Sequence, residues 1–482
     1  MEKVDTGDVS NQIEEESKEL IILDIPEAED LKILLSEPAL WPELCIYRVP
    51  RKLRAINPAA YTPQLISIGP FHRKNKALMP MEKQKLRYLA EFCKRIGINW
   101  TELANQIKEW ELSIRHCYEE TFDDVSSDKF VSMILLDSVF IVELFLRREE
   151  KYNFVRKQMH GNFKDDFILG KSTREFGVLG DLILVENQLP YFVLDDLYEF
   201  SIGNSNEEGY PSFFDLVRFN FEDYLSPPEI QEDKNLKCTC DCFSCLYCFW
   251  ITRCFSCQRD GDQSAEKEDE EGSLDQEKPL NFTDLVRKSR SFRHPVSKNN
   301  KSVMKLYSAT MLQGAGVKFK ASKEAWPIDI KFERGELKMP RFLADDNTER
   351  VIRNLMAFEQ CHYPNEPLIC DYIWILDFLI NTEKDVDVLV RKGIILNLLG
   401  DDKTVANLVN NLGLEITASG SCFYDLSEGL NNHYENPWCR TVAIMRSVYF
   451  NNLWRGTGTI AAIVLLFFTF TQSVYSISQI FS

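Results

Sequence analysis

Only six histidines occur in 482 residues, and no two lie close together: His72, His116, His160, His294, His362 and His433. Neither G-x-S-x-G nor H-E-x-x-H is present, so the familiar serine-hydrolase and zinc-protease signatures are missing. Phosphate loops are missing too. Leu169-Gly170-Lys171-Ser172 ends like a P-loop, but the first glycine it needs falls at Asp165, whose carboxylate repels phosphate. Gly314-Ala315-Gly316 meets Phe319 where a dinucleotide loop needs a small residue. Gly456, Gly458 and Ala461 keep that spacing but open an apolar run and follow no strand. A basic excess is also lacking: the net charge of −18 argues against nucleic-acid binding. The start, MEKVDTGDVS, has acids where a secretory signal needs bases and an apolar run. Seven of the 14 cysteines stand singly, without the spacing of a disulfide framework, which suits reduced thiols in the cytosol. His72 reads as a loop histidine. Cys361 and His362 are adjacent and would point apart on a helix, which disfavours a nucleophile–base pair.

What is present is an ordinary globular balance, 44% hydrophobic and 27% charged. The acidity is concentrated: residues 1–30 hold 11 acids and 2 bases, and residues 260–279 hold 9 and 2. Apolar periodicity predicts helices over Met81–Arg95, Trp100–Tyr118, Asp128–Arg148, Ser212–Phe221, Val303–Gln313, Glu349–Cys361, Asp371–Asn381, Asp385–Arg391 and Thr404–Leu412. In the first, Leu86, Leu89, Ala90 and Cys93 mark the face expected to be buried. Short strands are expected at Cys45–Val49 and Leu65–Ile68, with a hairpin from Ile328–Phe332 to Leu337–Met339 around Gly335. The fold class is therefore mainly α with a minor sheet: a helical globular body, a disordered insertion and one C-terminal transmembrane helix.

The expected organisation is an acidic N-terminal segment (1–40), the first half of the body (41–225), a Cys-rich and charged insertion (226–302), the second half (303–452) and an anchor with a short tail (453–482). The anchor is expected because no charged residue follows Arg455 and residues 460–470 read IAAIVLLFFTF, with Ile460, Val464, Leu465, Leu466, Phe467, Phe468 and Phe470 facing lipid. Arg440, Arg446 and Arg455 precede it, which places the body on the cytoplasmic side. Phe130–Leu146 is nearly as apolar, but Asp137 and Glu143 interrupt it. It reads as a buried helix whose carboxyls need partners.

The insertion is chemically the loudest stretch, with seven cysteines in residues 238–257. Cys242, Cys245, Cys254 and Cys257 form two C-x-x-C pairs that could hold a tetrahedral zinc. The interleaved aromatic and aliphatic residues equally suit S-acylation at Cys245, Cys248 or Cys254. A basic run, Arg287–Lys305, follows and suits a solvated loop or an anionic lipid surface. Sequons begin at Asn99, Asn281 and Asn300 and matter only in a secretory lumen.

Several strings are more specific than composition: IYRVPRKL (46–53), YTPQLISIGPFH (61–72), MEKQKLRYL (81–89), MILLDSVFIVELF (133–145), VENQLPYFVLDDLY (185–198), ATMLQGAGVKFK (309–320) and RNLMAFEQC (353–361). In this order they resemble the plant family catalogued as domain of unknown function 247, over about Cys45 to Trp454 and the C-terminal anchor. The resemblance implies a mostly helical protein with one membrane segment, no established catalytic residues and no cofactor. Some grass members of that family are implicated in self-incompatibility, which points to recognition. Within the strings, Glu186, Asn187 and Gln188, and likewise Glu359 and Gln360, lie beside apolar runs. Buried polar side chains must be hydrogen-bonded, so these read as a structural network or a partner site. The functional expectation is a membrane-anchored protein without catalysis, binding an unknown protein partner and no nucleic acid. The alternative is a metal- or thiol-dependent enzyme using the cysteine cluster or a Cys/His pair in space.

Overall fold

The computed structural model describes residues 38, 40–152, 163–203, 209–225, 278–291, 301–322, 328–416, 420–439, 441 and 453–480. Contacts divide the chain into a short unit, Met1–Leu44, and a body, Cys45–Ser482. The short unit shows a turn in which the Leu44 N–H donates to the Trp41 carbonyl.

The body is built around α4 (Ser127–Tyr152), with nearly every residue from Phe130 to Leu146 buried. Its all-round apolar surface requires cover on every side. The cover comes from α2 (Met79–Ile96), α3 (Trp100–His116), α6 (Tyr191–Gly203) and α7 (Phe213–Asn220). The short α1 (Arg51–Ile56), α5 (Ser172–Asp181) and α8 (Glu222–Leu225) complete this side. α2 has the expected period but a different phase. Its buried face is Met81, Lys85, Tyr88, Phe92 and Ile96, while Leu86 is 56% exposed. Lys85 misleads the pattern because a lysine reads as solvent-facing. Here it is fully buried as the partner of Asp137 on α4. α2 ends at Gly97, whose φ of +81° is a left-handed cap that favours glycine.

Residues 278–291, which the charge pattern placed in the solvated insertion, pack inside the body. There α9 (Phe282–Ser291) has Phe282, Thr283, Asp284, Leu285, Val286 and Arg287 buried. Arg287 tolerates this because Glu359 pairs with it at 3.0 Å.

The remaining elements are α10 (Ala309–Gly314), β1 (Lys318–Ala321), β2 (Lys331–Glu333), β3 (Glu336–Met339), β4 (Phe342–Ala344), α11 (Thr348–His362), α12 (Leu368–Leu379), α13 (Glu383–Arg391), β5 (Ile395–Asn397), α14 (Asp402–Leu412) and α15 (Tyr424–Glu435). The expected hairpin is β2–β3. Arg334 and Gly335 both have positive φ, 51° and 78°, as a two-residue primed turn requires. β1 adds to it in parallel, Phe319 opposite Leu337, and β4 pairs with β5 in parallel. A large hydrophobic core runs from Cys45 to Leu430 through helices on both sides of the insertion, with a smaller cluster around Val49, Tyr61, Val185 and Phe358.

Three expected elements differ. Val303–Gln313 is helical only from Ala309, because carbonyls of its first residues are used elsewhere. Trp374 donates to the Val303 carbonyl and Asn431 to the Lys305 carbonyl. Cys45–Val49 makes one isolated bridge, Ile46 to Tyr118, and Leu65–Ile68 pairs with no strand.

The last helix, α16, spans Leu453–Ile480, 28 residues. Among the described residues, no helix is long and apolar enough to cross a membrane. The expected transmembrane span is therefore without support in the described fold. Ile463, Val464, Leu465, Leu466, Phe467, Phe468 and Phe470 are all exposed, between 45% and 69%.

Candidate functional site

Segment 64–69 looks like a strand but has no strand beside it, so its N–H groups need other acceptors. Buried side chains supply them. The Asp181 carboxylate, at the end of α5, accepts from the N–H groups of Gln64, Leu65 and Ile66 at 2.6–3.1 Å, and pairs with Arg350 of α11. Asn187 accepts from Ile68 at 2.7 Å and donates to the carbonyls of Ile66 and Asp181. The Asp137 carboxylate takes the Gly69 N–H at 2.9 Å. Lys85 bridges Asp137 and the Ser67 carbonyl. Gly69 has φ +69°, and a Cβ there would stand 2.7 Å from the Gln188 carbonyl oxygen, so this close crossing requires glycine. Two of the sequence strings, GPFH and VENQLP, thus meet at backbone contact.

Glu186 lies at the edge of this network, 2% exposed. It accepts the Val49 N–H at 2.8 Å, with Arg54 at 2.5 Å, His72 Nε2 at 3.1 Å and Arg48 at 3.7 Å. Burial pushes its carboxyl up, but His72, the Val49 N–H and Arg54 outweigh burial and hold it below the ordinary value. Three strings converge on this one carboxylate: IYRVPRKL through Arg48 and Val49, GPFH through His72, and VENQLP through Glu186. Gln188 donates to the Leu182 and Leu184 carbonyls and accepts the Phe282 N–H, which ties α9 into the network.

The second predicted cluster sits on α11, the helix whose Arg350 pairs with Asp181 of the first. Glu359 is fully buried and takes the N–H groups of Ile369 and Cys370 and the Arg287 guanidinium. Burial pushes its carboxyl up to about 7, against Arg287 and the two N–H donors. Gln360 is half-buried beside it. Asn354, one turn earlier, accepts from Val185 and donates to Ala60, which joins the two clusters. Asp137 and Glu143 have their partners as α4 required: Lys85 for the first, Arg95 and Arg147 for the second. Glu143 is pushed up to about 7, with burial the largest cause.

Sequence reasoning missed Asp181, Asn354 and Arg350. Asp181 carried a usable signal, a carboxylate inside the apolar run VLGDLILV, the same argument that singled out Asp137 and Glu143.

The geometry gives little chemistry. Each carboxylate of the network already serves backbone donors or a cation. Burial pushes the Cys361 thiol up to about 12, and Glu119 adds to it. Burial lowers the neighbouring His362, whose Nδ1 lies 2.8 Å from the Tyr47 hydroxyl. The hydrogen bond with Cys117 raises the Cys45 thiol and burial raises those of Cys370 and Cys422, which disfavours the thiolate a nucleophile needs at these four. Among the described residues, no three His, Cys, Asp or Glu side chains are grouped to hold a metal. Cys242, Cys245, Cys248, Cys254 and Cys257 lie outside the described residues. So does the sequon at Asn300. The sequon at Asn281 is interior: Asn281 is 2% exposed and donates to the Cys45 carbonyl, and Thr283 donates to the Ile183 carbonyl.

A family model described as a plant protein of unknown function, DUF247, matches residues 46–468. Among curated relatives, the chain is 26% identical to the UPF0481 protein At3g47200 of Arabidopsis thaliana, over 92% of this chain and 88% of the relative. It is 23% identical to the putative UPF0481 protein At3g02645 of the same plant, over 87% of this chain and 88% of that one. No solved structure matches.

Proposed function

The chain belongs to the DUF247 family of plant proteins, and from that premise we propose that it works by recognition at a lipid surface, without chemistry of its own. The observation that carries this reading is the inversion on α16. Seven large apolar side chains between Ile463 and Phe470 are exposed on a helix with no charged residue after Arg455. Each such side chain gains about 1.5–3 kcal/mol on leaving water, so water is the wrong solvent for this helix. A bilayer is the partner whose chemistry fits an apolar surface exposed all round.

The body then supplies the recognising surface. Its strings are engaged in holding segment 64–69, α9 and α11 in fixed positions, which favours a rigid shape over a reactive centre. Arg440, Arg446 and Arg455 before the apolar run support a cytoplasmic body. Attachment confines the body to two dimensions and raises the effective concentration of a protein partner.

Alkaline carbonate extraction of plant membranes tests the attachment. Retention in the pellet is expected for the full chain, and release of intact protein overturns the reading. Protease protection of the same membranes checks the orientation. Proximity labelling from the N-terminus checks recognition, which fails if no reproducible neighbour is found.

A further inference from the structure

Outside α16, the two most exposed large apolar side chains among the described residues of the body are Met304, 84% exposed, and Trp438, 77% exposed. They lie on two segments that contacts join at the last turns of α15. Segment 301–307 runs alongside α15: Lys301 bridges to Ser421, Asn431 donates to the Lys305 carbonyl, and Lys305 pairs with Glu435 at 2.9 Å. Met304 therefore precedes the contacts that fix this segment to the last turns of α15. Trp438 follows Glu435 by three residues, within about 11 Å of chain. Between them Tyr307 stacks on Tyr434 with ring centroids 3.8 Å apart, and the Tyr307 hydroxyl donates to Glu435. The Glu435 carboxylate, the acid at this end, is neutralised by Lys305.

Tryptophan, two tyrosines, methionine and a lysine at one edge match the chemistry of a bilayer interface. There, aromatic bodies sit among acyl ends while polar tips and ammonium groups reach the headgroups. Residues 439–452 separate Trp438 from α16, a span of at most about 50 Å. We propose that the α15 edge bearing Met304, Lys305, Tyr307, Tyr434 and Trp438 docks into the interfacial layer of the bilayer that receives α16, and so sets the orientation of the body. This rests on the lipid attachment proposed above.

The test uses the full chain in phosphatidylcholine–phosphatidylserine vesicles whose phosphatidylcholine is brominated near the headgroup end. Bromine quenches only tryptophan at that depth. Trp438→Phe is expected to lose quenched emission relative to the parent chain, with thermal unfolding unchanged because the side chain is exposed. Met304→Glu, which leaves Trp438 in place, is expected to reduce quenching through the same face. Equal quenching in the parent and both variants, with the chain still carbonate-resistant, overturns the docking and leaves the attachment standing. A chain that washes off in carbonate removes both. Quenching differences that appear only at high protein-to-lipid ratio assign the edge to a second copy and also overturn the proposal.

Discussion

The interior of the body and the surface of α16 invert the usual distribution of side chains in opposite ways. The interior holds Lys85, Asp137, Glu143, Asp181, Glu186 and Glu359 at 2% exposure or less, and α16 presents leucines and phenylalanines outward. The buried charges have their counter-ions and backbone donors in place, so they are part of a finished structure. The α16 surface has nothing described against it. Charge in the wrong place with partners marks architecture. Apolar surface in the wrong place without partners marks a missing solvent.

The comparison breaks most severely at Lys85. Lys85→Ala takes the nearest cation from the buried Asp137, leaving it the Gly69 N–H and Arg73 at 3.9 Å, with an expected loss of about 3 kcal/mol in chemical denaturation. The double variant Lys85→Met with Asp137→Leu is expected to recover a large part of that loss. If the single variant melts like the parent, the interior ion pair is not structural. On the other side, Leu466→Asp is expected to weaken vesicle binding by at least the roughly 1.5–3 kcal/mol that the leucine gains on leaving water. The melting of the body should be unchanged, and parallel flotation and calorimetry measure both.

The carboxylates sharpen the comparison within the interior. Glu359, raised to about 7 in the folded state, holds its proton more tightly than in the unfolded chain. Its contribution is complete below the ordinary glutamate range near 4.5 and is lost as pH rises to about 7. That loss is about 3.4 kcal/mol at 1.36 kcal/mol per unit. Glu359→Gln should flatten this slope in a pH series of denaturation curves. Glu186 is lowered, so its contribution has the opposite sign: present above the ordinary range and lost as pH falls. Glu186→Gln should flatten only the acid limb. The smallest effect belongs to an exposed pair. Arg391, 74% exposed and 2.8 Å from Asp387, should lose below about 0.5 kcal/mol on change to alanine, and a larger loss would show that surface charge also builds this fold.

Helix positions were legible because apolar periodicity survives in α2, α3, α4, α11, α12, α13 and α14. The phase of α2 was not, since a buried lysine reverses the inside–outside sign on which the pattern depends. Glu186, Asn187, Gln188 and Glu359 were legible as polar groups needing partners beside apolar runs. Their partners were not, because the Glu186 contacts to Val49 and Arg54 and the Asn354 contact to Ala60 join residues more than a hundred positions apart. Leu65–Ile68 was expected as a strand, but the acceptors of its N–H groups are side chains that no local pattern reveals. The burial of α9 was hidden by its charge, which Glu359 and Tyr363 absorb from outside the segment.

That burial fixes where the chain re-enters the body. Leu225 ends one described helix, and from Lys278 onward the chain is clamped: Asn281 to Cys45, Phe282 to Gln188, Thr283 to Ile183 and Arg287 to Glu359. These four contacts join residues outside 226–277. An epitope tag, a fluorophore or a protease cleavage sequence grafted into that interval should therefore leave the body assembled, and after cleavage the two pieces should migrate together until a denaturant separates them.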